Sequence, residues 1–330
     1  MYYLPIVAHV VSWRLSIRKR TSVLSAYFIH SLCRATQELY VACTGDCRAV
    51  AGYWDDKAGA WVADPLSEDQ TGDVEKEIQR LKLEHPGEES TVVQRGRILG
   101  NLQPTRAFGD IKYKWPANAL QTFLPSIMPD GIKPRGIASN YLTPPYVTAR
   151  PEVEYRKFSL PSPKPQGPPS EPTLRFIIMA TDGFWDEITN VEAVVLAGTY
   201  LSGLRTKAIA RTSLPQVIPR PPATTATELA SRDGSHSSYL VYEAIPQKEF
   251  QRRPIEQALE SRKQGHWAFV DDNVGAHLIR NAFGGGDQLA LRQTLSIPAP
   301  HARRFRDDIT VSVIWWEEID GVPVTAKAKL

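Results

Sequence analysis

The sequence predicts an α+β protein. Short apolar runs rich in β-type residues recur along the chain and stop at Gly, Asp or Pro turn signals. Between them lie a few segments with apolar residues at helical spacing and their own start and stop signals. At 330 residues the chain can bury a sizeable core, as one large domain or two small ones. Hydrophobic content of 42% and charged content of 23% are those of a soluble globular chain. The formal net charge of +3 is too small to argue for nucleic acid, and no apolar run approaches a membrane span. Cys33, Cys43 and Cys47 are too few for a disulfide framework and fit a reducing compartment. Cys43 and Cys47 lack a second ligand pair, which argues against zinc.

The chain is organised around Phe176–Glu187, FIIMATDGFWDE. Phe176 to Ala180 read as a buried strand, Thr181-Asp182-Gly183 as a tight turn, and Thr189-x-x-Glu192 as a capping box opening a helix. Asp182 is thereby held at a strand end. A helical turn starting at Gly183 puts Asp186 on the same side. Such a pair suits a hard divalent cation; the alternative is a solvated turn with a cap.

Met1–Gln37 contains no Asp or Glu but several Arg. It resembles a mitochondrial presequence and equally fits a poorly determined gene-model start. Leu39–Cys43 and Cys47–Tyr53 read as a hairpin around Thr44-Gly45-Asp46, with Asp46 at a strand end or simply forming the turn. Ser67–His85 reads as an amphipathic helix through Val74, Ile78 and Leu81, with His85 as a helix-end residue. Val92–Leu102 gives two short strands around Arg95-Gly96-Arg97. Arg106 can pair with a phosphate or with an internal carboxylate, and the internal pair is preferred. Tyr141–Pro151 reads as a loop and Val153–Leu160 as an edge strand. The 26 prolines concentrate near 161–173 and around Pro215–Pro222, which read as insertions. Leu204–Gln264 is polar and reads as a partly disordered insertion with short helical pieces. A helix with an Asp cap is expected over Asp271/Asp272–Phe283, with His277 a packed core residue. Arg306-Asp307-Asp308 precedes the strand Ile309–Trp316.

Asp46, Asp182, Asp186 and Asp307 each flank a strand that reads as buried. Four all-oxygen ligands point to Mg²⁺ or Mn²⁺, and the chemistry such ions suit is phosphomonoester hydrolysis. Spacing alone does not bring the four together.

The segments LYVACTGDCRAVAG (Leu39–Gly52), LQPTRAFGDIKYKW (Leu102–Trp115), FIIMATDGFWDE and RDDITVSV (Arg306–Val313) stand in the order found in metal-dependent protein phosphatases of the 2C type. Leu81–Glu88, Lys112-Tyr113-Lys114-Trp115 and Tyr141–Val153 look most like the pyruvate dehydrogenase phosphatase branch. The resemblance covers roughly Leu39 to Trp316. It implies two packed antiparallel β-sheets flanked by helices, an αββα sandwich, here N-terminally truncated. It implies a catalytic metal pair on Asp182 and Asp307. A third, weaker site is implied on Asp46 and Asp186, with Asp182 shared, for two or three Mg²⁺ or Mn²⁺ ions in all. The implied reaction is hydrolysis of phosphoserine or phosphothreonine by metal-activated water. The implied partner is a phosphoprotein, with pyruvate dehydrogenase as the branch's substrate and the mitochondrial matrix as its location, otherwise the cytoplasm. Catalytic side chains beyond the metal ligands, and substrate-binding residues, are not identified.

One departure is large. The family's Asp-Gly-His-Gly-Gly segment, whose Asp bridges both metals, has no counterpart here. Its loss removes charge and positioning, worth on the order of 10³-fold in rate. The missing strands should also leave sheet edges open. The chain as written is therefore expected to be weakly active or inactive and poorly stable. It reads either as a truncated gene model of an active enzyme or as an inactive phosphatase-like binding module. The expected organisation is an atypical segment 1–38, a phosphatase domain 39–318 with insertions near 161–173 and 204–264, and a tail 319–330.

Overall fold

A computed structural model describes residues 6–15, 26–33, 37–127, 140–160, 171–214, 217–219, 265–298 and 301–318. Strands β1 (Ile6–Leu15) and β2 (Ala26–Cys33) come first, then β3 (Glu38–Thr44), β4 (Arg48–Asp55) and β5 (Ala60–Pro65). Helix α1 (Glu75–Glu84) leads to the short pair β6 (Val93–Gln94) and β7 (Arg97–Ile98), then α2 (Ala117–Ile127) and β8 (Glu152–Lys157). Strand β9 (Thr173–Ala180) runs into α3 (Asp182–Trp185), a single turn, and α4 (Asn190–Leu201). The rest is β10 (Thr206–Ala210), β11 (Val217–Pro219), β12 (His266–Phe269), α5 (Val274–Ala282), α6 (Gln288–Ser296) and β13 (Ile309–Glu318).

Six strands form one sheet in the order β1-β13-β9-β4-β5-β11, and three form a second in the order β2-β3-β8. The pairs are antiparallel except β11 with β5. Side chains alternate across a strand, so a strand apolar on both faces must be covered on both. Strand β4 shows this. Ala49, Ala51 and Tyr53 face β3 of the second sheet through Leu39 and Val41, together with Leu174 and Ile177 of β9. Val50 points the other way, joining Phe176, Ile178, Val311 and Val313 against Val194 and Leu196 of α4 and Leu278 of α5. Each fully buried Val, Leu, Ile or Phe among them contributes roughly 1.5–3 kcal/mol. The expected sandwich of two sheets is thus present, with α4 and α5 over the larger sheet. A third cluster joins Leu81 of α1 to Val92, Ile98, Tyr146 and Val147.

Four expectations are corrected. Strands β3 and β4 are not a hairpin, for β3 pairs with β2 and β8 while β4 pairs with β5 and β9. Both bury apolar residues in the same interlayer core, so they face each other and Thr44–Cys47 is the corner between sheets. The helix expected from Ser67 begins only at Glu75. Upstream, Ser67 Oγ accepts from Ala49 N–H (3.0 Å) and Gln70 bonds to the corner, contacts that hold the backbone away from helix. The cap of α5 is Asn273, not an Asp. The sheet edges expected to stand open are taken up, with β1 lying on β13 and β2 on β3.

The 161–173 insertion lies mostly outside the described residues, as do the C-terminal tail and Leu204–Gln264 beyond Pro219. The described start of that last segment holds strand β10, which pairs with β12, followed by a short 3-10 helix at Arg211–Ser213.

Candidate metal centre

Three chain segments meet at one end of the large sheet. Ala180, the last residue of β9, is paired with Arg48 of β4 on one side and Val311 of β13 on the other. Thr181 then stitches the turn to β13. Its N–H donates to Thr310 O (3.1 Å), its hydroxyl donates to Asp308 O (3.0 Å), and Thr310 N–H donates back to that hydroxyl (3.0 Å). Gly183 packs directly on the same strand entrance. A Cβ there would lie 2.7 Å from Asp308 O and 3.1 Å from Asp307 Cβ, so only glycine permits the approach. Asp182 Oδ1 accepts from Gly183 N–H (2.9 Å) and Asp307 Oδ1 from Asp308 N–H (2.8 Å). One helical turn on, Asp186 N–H donates to Asp182 O (2.8 Å), as the four-residue spacing predicts.

The intersheet corner brings in Asp46. Gln70 clamps it: Gly45 N–H donates to Gln70 Oε1 (2.7 Å), Gln70 Nε2 donates to Cys43 O (3.1 Å), and Gln70 N–H donates to Gly45 O (2.9 Å). The indole N–H of Trp185 lies within hydrogen-bond distance of both Arg48 O (3.1 Å) and Ala180 O (3.0 Å), tying β4 to β9 beneath the turn. Arg48 lies over the Trp185 ring at 5.3 Å and donates to Asp69 (2.9 and 2.5 Å) and Asn190 Oδ1 (2.9 Å). The backbone around the acids is therefore fixed by buried and half-buried hydrogen bonds and by the close packing of Gly183.

The four carboxylates share one electrostatic neighbourhood. Burial, then Asp46, Asp307 and Asp186, push the Asp182 carboxyl up to about 8. Asp46 is buried, Asp182 and Asp307 are half-buried, and Asp186 is exposed. Among the described residues, no three His, Cys, Asp or Glu side chains close into a cage as they stand. The donors are all carboxylate oxygens, the kind a hard divalent cation takes, and the crowding that raises Asp182 is a cost that a cation would relieve. Burial and the Asp69 charge push the neighbouring Cys43 thiol up to about 12.

The other candidates lie elsewhere. Arg106 donates to Glu77 (3.1 and 2.5 Å), the internal pair preferred from sequence. Burial raises Glu77, but Arg106, Arg80 and Thr105 outweigh it and hold the carboxyl at about 2. His85 ends α1 against Thr143 (2.8 Å), and His277 is packed between Tyr200 and Phe269. Sequence reasoning missed Gln70, Thr181, Trp185 and Arg306. Arg306 fixes the approach to Asp307 by donating to Thr294 O (2.9 Å) and Ile297 O (3.3 Å) at the end of α6. Thr181, Trp185 and Arg306 lay inside quoted motifs, and nothing local distinguishes Gln70.

The sequence model of the family described as Protein phosphatase 2C matches residues 24–214. A protein phosphatase 2C homolog of Schizosaccharomyces pombe is 34% identical over 94% of this chain and 58% of its own length. The mitochondrial [pyruvate dehydrogenase [acetyl-transferring]]-phosphatase 1 of Bos taurus is 34% identical over 84% of this chain and 45% of its own. The enzyme of that name from Saccharomyces cerevisiae is 33% identical over 86% and 45%. The chain thus spans about half the length of the curated relatives it matches. Matched over more than half its residues, the chain belongs to the protein phosphatase 2C family.

Proposed function

We propose that the chain is a metal-dependent serine/threonine protein phosphatase domain whose ions are Mg²⁺ or Mn²⁺. One observation carries the reading: Asp46, Asp307 and Asp186, which come from three distant segments, all lie near enough to Asp182 at the end of β9 for their charges to act on its carboxyl. In this reading Asp182 and Asp307 hold the principal ions, and Asp46 and Asp186 a further one beside Asp182. Bound there, such ions neutralise phosphoryl oxygens and acidify water. The protein's own part is positional. Thr181 and Gly183 set Asp182 against Asp307, Trp185 and Gln70 hold the Asp46 corner, and the sandwich keeps this geometry fixed before substrate arrives. The names of the bovine and yeast relatives support pyruvate dehydrogenase as the substrate and the mitochondrion as the location.

The test is turnover of a phosphoserine peptide by the purified chain, with Mn²⁺ and with EDTA, beside Asp182→Asn. Weak turnover that needs Mn²⁺ and falls at least about 10²-fold in the variant is expected. Mn²⁺ binding without turnover would overturn the catalytic reading in favour of a phosphatase-like binding module. Phosphorylated pyruvate dehydrogenase should be hydrolysed faster than an unrelated phosphoprotein; equal rates would remove it as the preferred substrate.

A further inference from the structure

At the end of the large sheet away from the acids, a cavity of about 330 Å³ opens between the sheet and the C-terminal end of α4. Arg48 stands at the acid end of β4 and Trp54 at the cavity, a separation of about 20 Å at ~3.3 Å per strand residue. The walls are aromatic. Trp54 and Trp61 meet edge to face at 5.2 Å, Trp61 and Phe176 meet at 5.2 Å, and Trp315 closes another side. Gly198 lets α4 lie on this surface, since a Cβ there would be 2.3 Å from the Trp61 ring.

The charged member of the lining is Arg175. It sits in a β-bulge: Phe176 pairs with Gly52 and Leu174 with Tyr53, so Arg175 is the residue left over in that ladder. Bulges re-aim side chains, and this one sets an arginine among aromatic rings. Arg175 Nε is buried and has no hydrogen-bond partner among the described residues. The side chain as a whole is half-buried and lines the cavity, so the guanidinium is the group there that an anionic oxygen would pair with. Aromatic walls alone would also suit a cation, but the guanidinium repels one. The cavity has room for a single ring with a short side chain.

We propose that this cavity binds a small molecule consisting of one planar apolar ring and one anionic group. The ring packs against Trp54, Trp61 and Phe176, and the anion accepts from Arg175. The site is separate from the carboxylate cluster and does not depend on what that cluster does.

The test is a titration followed by tryptophan fluorescence, with 3-phenylpropionate as probe. Two controls separate its parts: 3-phenylpropanol has the ring without the charge, and propionate the charge without the ring. A saturable change with 3-phenylpropionate is expected, with affinity about 10-fold or more weaker for both controls. Arg175→Met should weaken the acid about 10-fold and leave the alcohol unchanged, whereas Arg175→Lys should retain part of the preference for the acid. Near-ultraviolet circular dichroism checks that each variant is folded. No saturable change, equal binding of acid and alcohol, or unaltered acid binding by folded Arg175→Met would each overturn the proposal. If both Arg175 variants fail to fold, the wild-type preference for acid over alcohol decides alone.

Discussion

Gly183 and Asp182 pull on stability in opposite directions, and the site depends on both. Gly183 is needed for space. In Gly183→Ala the new Cβ must displace the Asp308 carbonyl, which is backbone and cannot swing aside. We expect a loss of about 1–3 kcal/mol in urea unfolding, together with weaker Mn²⁺ binding, because Asp307 moves with that carbonyl. Stability unchanged from wild type would mean that the two segments are not in contact as described. Asp182 is the reverse case, a charge kept at a cost. Asp182→Asn removes one anion from a crowded group, so at pH 8 in EDTA the variant should melt higher than the wild type, while in Mn²⁺ the order should invert. A variant that melts lower in both conditions would show that Asp182 is structural. Arg106 is a structural charge in just this sense. In Arg106→Ala the buried Glu77 keeps Arg80 and Thr105 but loses its closest cation, and a loss of about 3 kcal/mol in urea unfolding is expected.

At the scale of elements, the strand–turn–helix unit of β9, α3 and α4 is held by two devices. The capping box at Thr189 and Glu192 starts α4, and the Trp185 indole ties the turn to β4. In Trp185→Phe most of the ring remains in the core and only the N–H is lost. Two buried carbonyls then share one donor fewer, at about 1–3 kcal/mol. Because those carbonyls belong to Arg48 and Ala180, Mn²⁺ affinity should fall as well as stability in thermal melts and calorimetric titration. A loss of stability alone would confine Trp185 to packing. The unit was legible in the sequence because every signal in it is local: an apolar run, a Thr-Asp-Gly break and a capping box. The corner at Asp46 was misread for the complementary reason. LYVAC and CRAVAGY are apolar on nearly every residue, and a run of that kind does not say which neighbour it pairs with. Partner choice was made by the facing layer, through Leu39, Val41, Ala51 and Tyr53, and no short window contains that information. Gln70, 25 residues from the glycine whose N–H it receives, was out of reach for the same reason.

For the molecule as a whole, Glu77, His277 and Asp182 shape the dependence of stability on pH. The Glu77 carboxyl, held at about 2 against an ordinary 4.5, binds fewer protons folded than unfolded, so its contribution is present above pH 4.5 and is lost as pH falls toward 2. Burial pushes the His277 imidazole down to about 4, so the unfolded chain takes up its proton first and stability also falls as pH drops from 6.5 to 4. Asp182 has the opposite sign. Raised from an ordinary 3.8 to about 8 by burial and by Asp46, Asp307 and Asp186, it holds a proton in the fold that the unfolded chain has released, so stability falls as pH rises from 4 to 8. From pH 4 to 6.5 the His277 gain and the Asp182 loss oppose each other, and above 6.5 only the loss remains. In EDTA the melting temperature should therefore pass through a maximum and decline between pH 6.5 and 8. A divalent cation favours the ionised carboxylate, so saturating Mn²⁺ should abolish the decline, and Asp182→Asn should flatten it in EDTA without touching the acid limb that belongs to Glu77 and His277. A profile in EDTA that stays level from pH 6.5 to 8 would mean that Asp46, Asp307 and Asp186 do not act on the Asp182 carboxyl, and the case for a metal centre at this strand end would lose its physical basis.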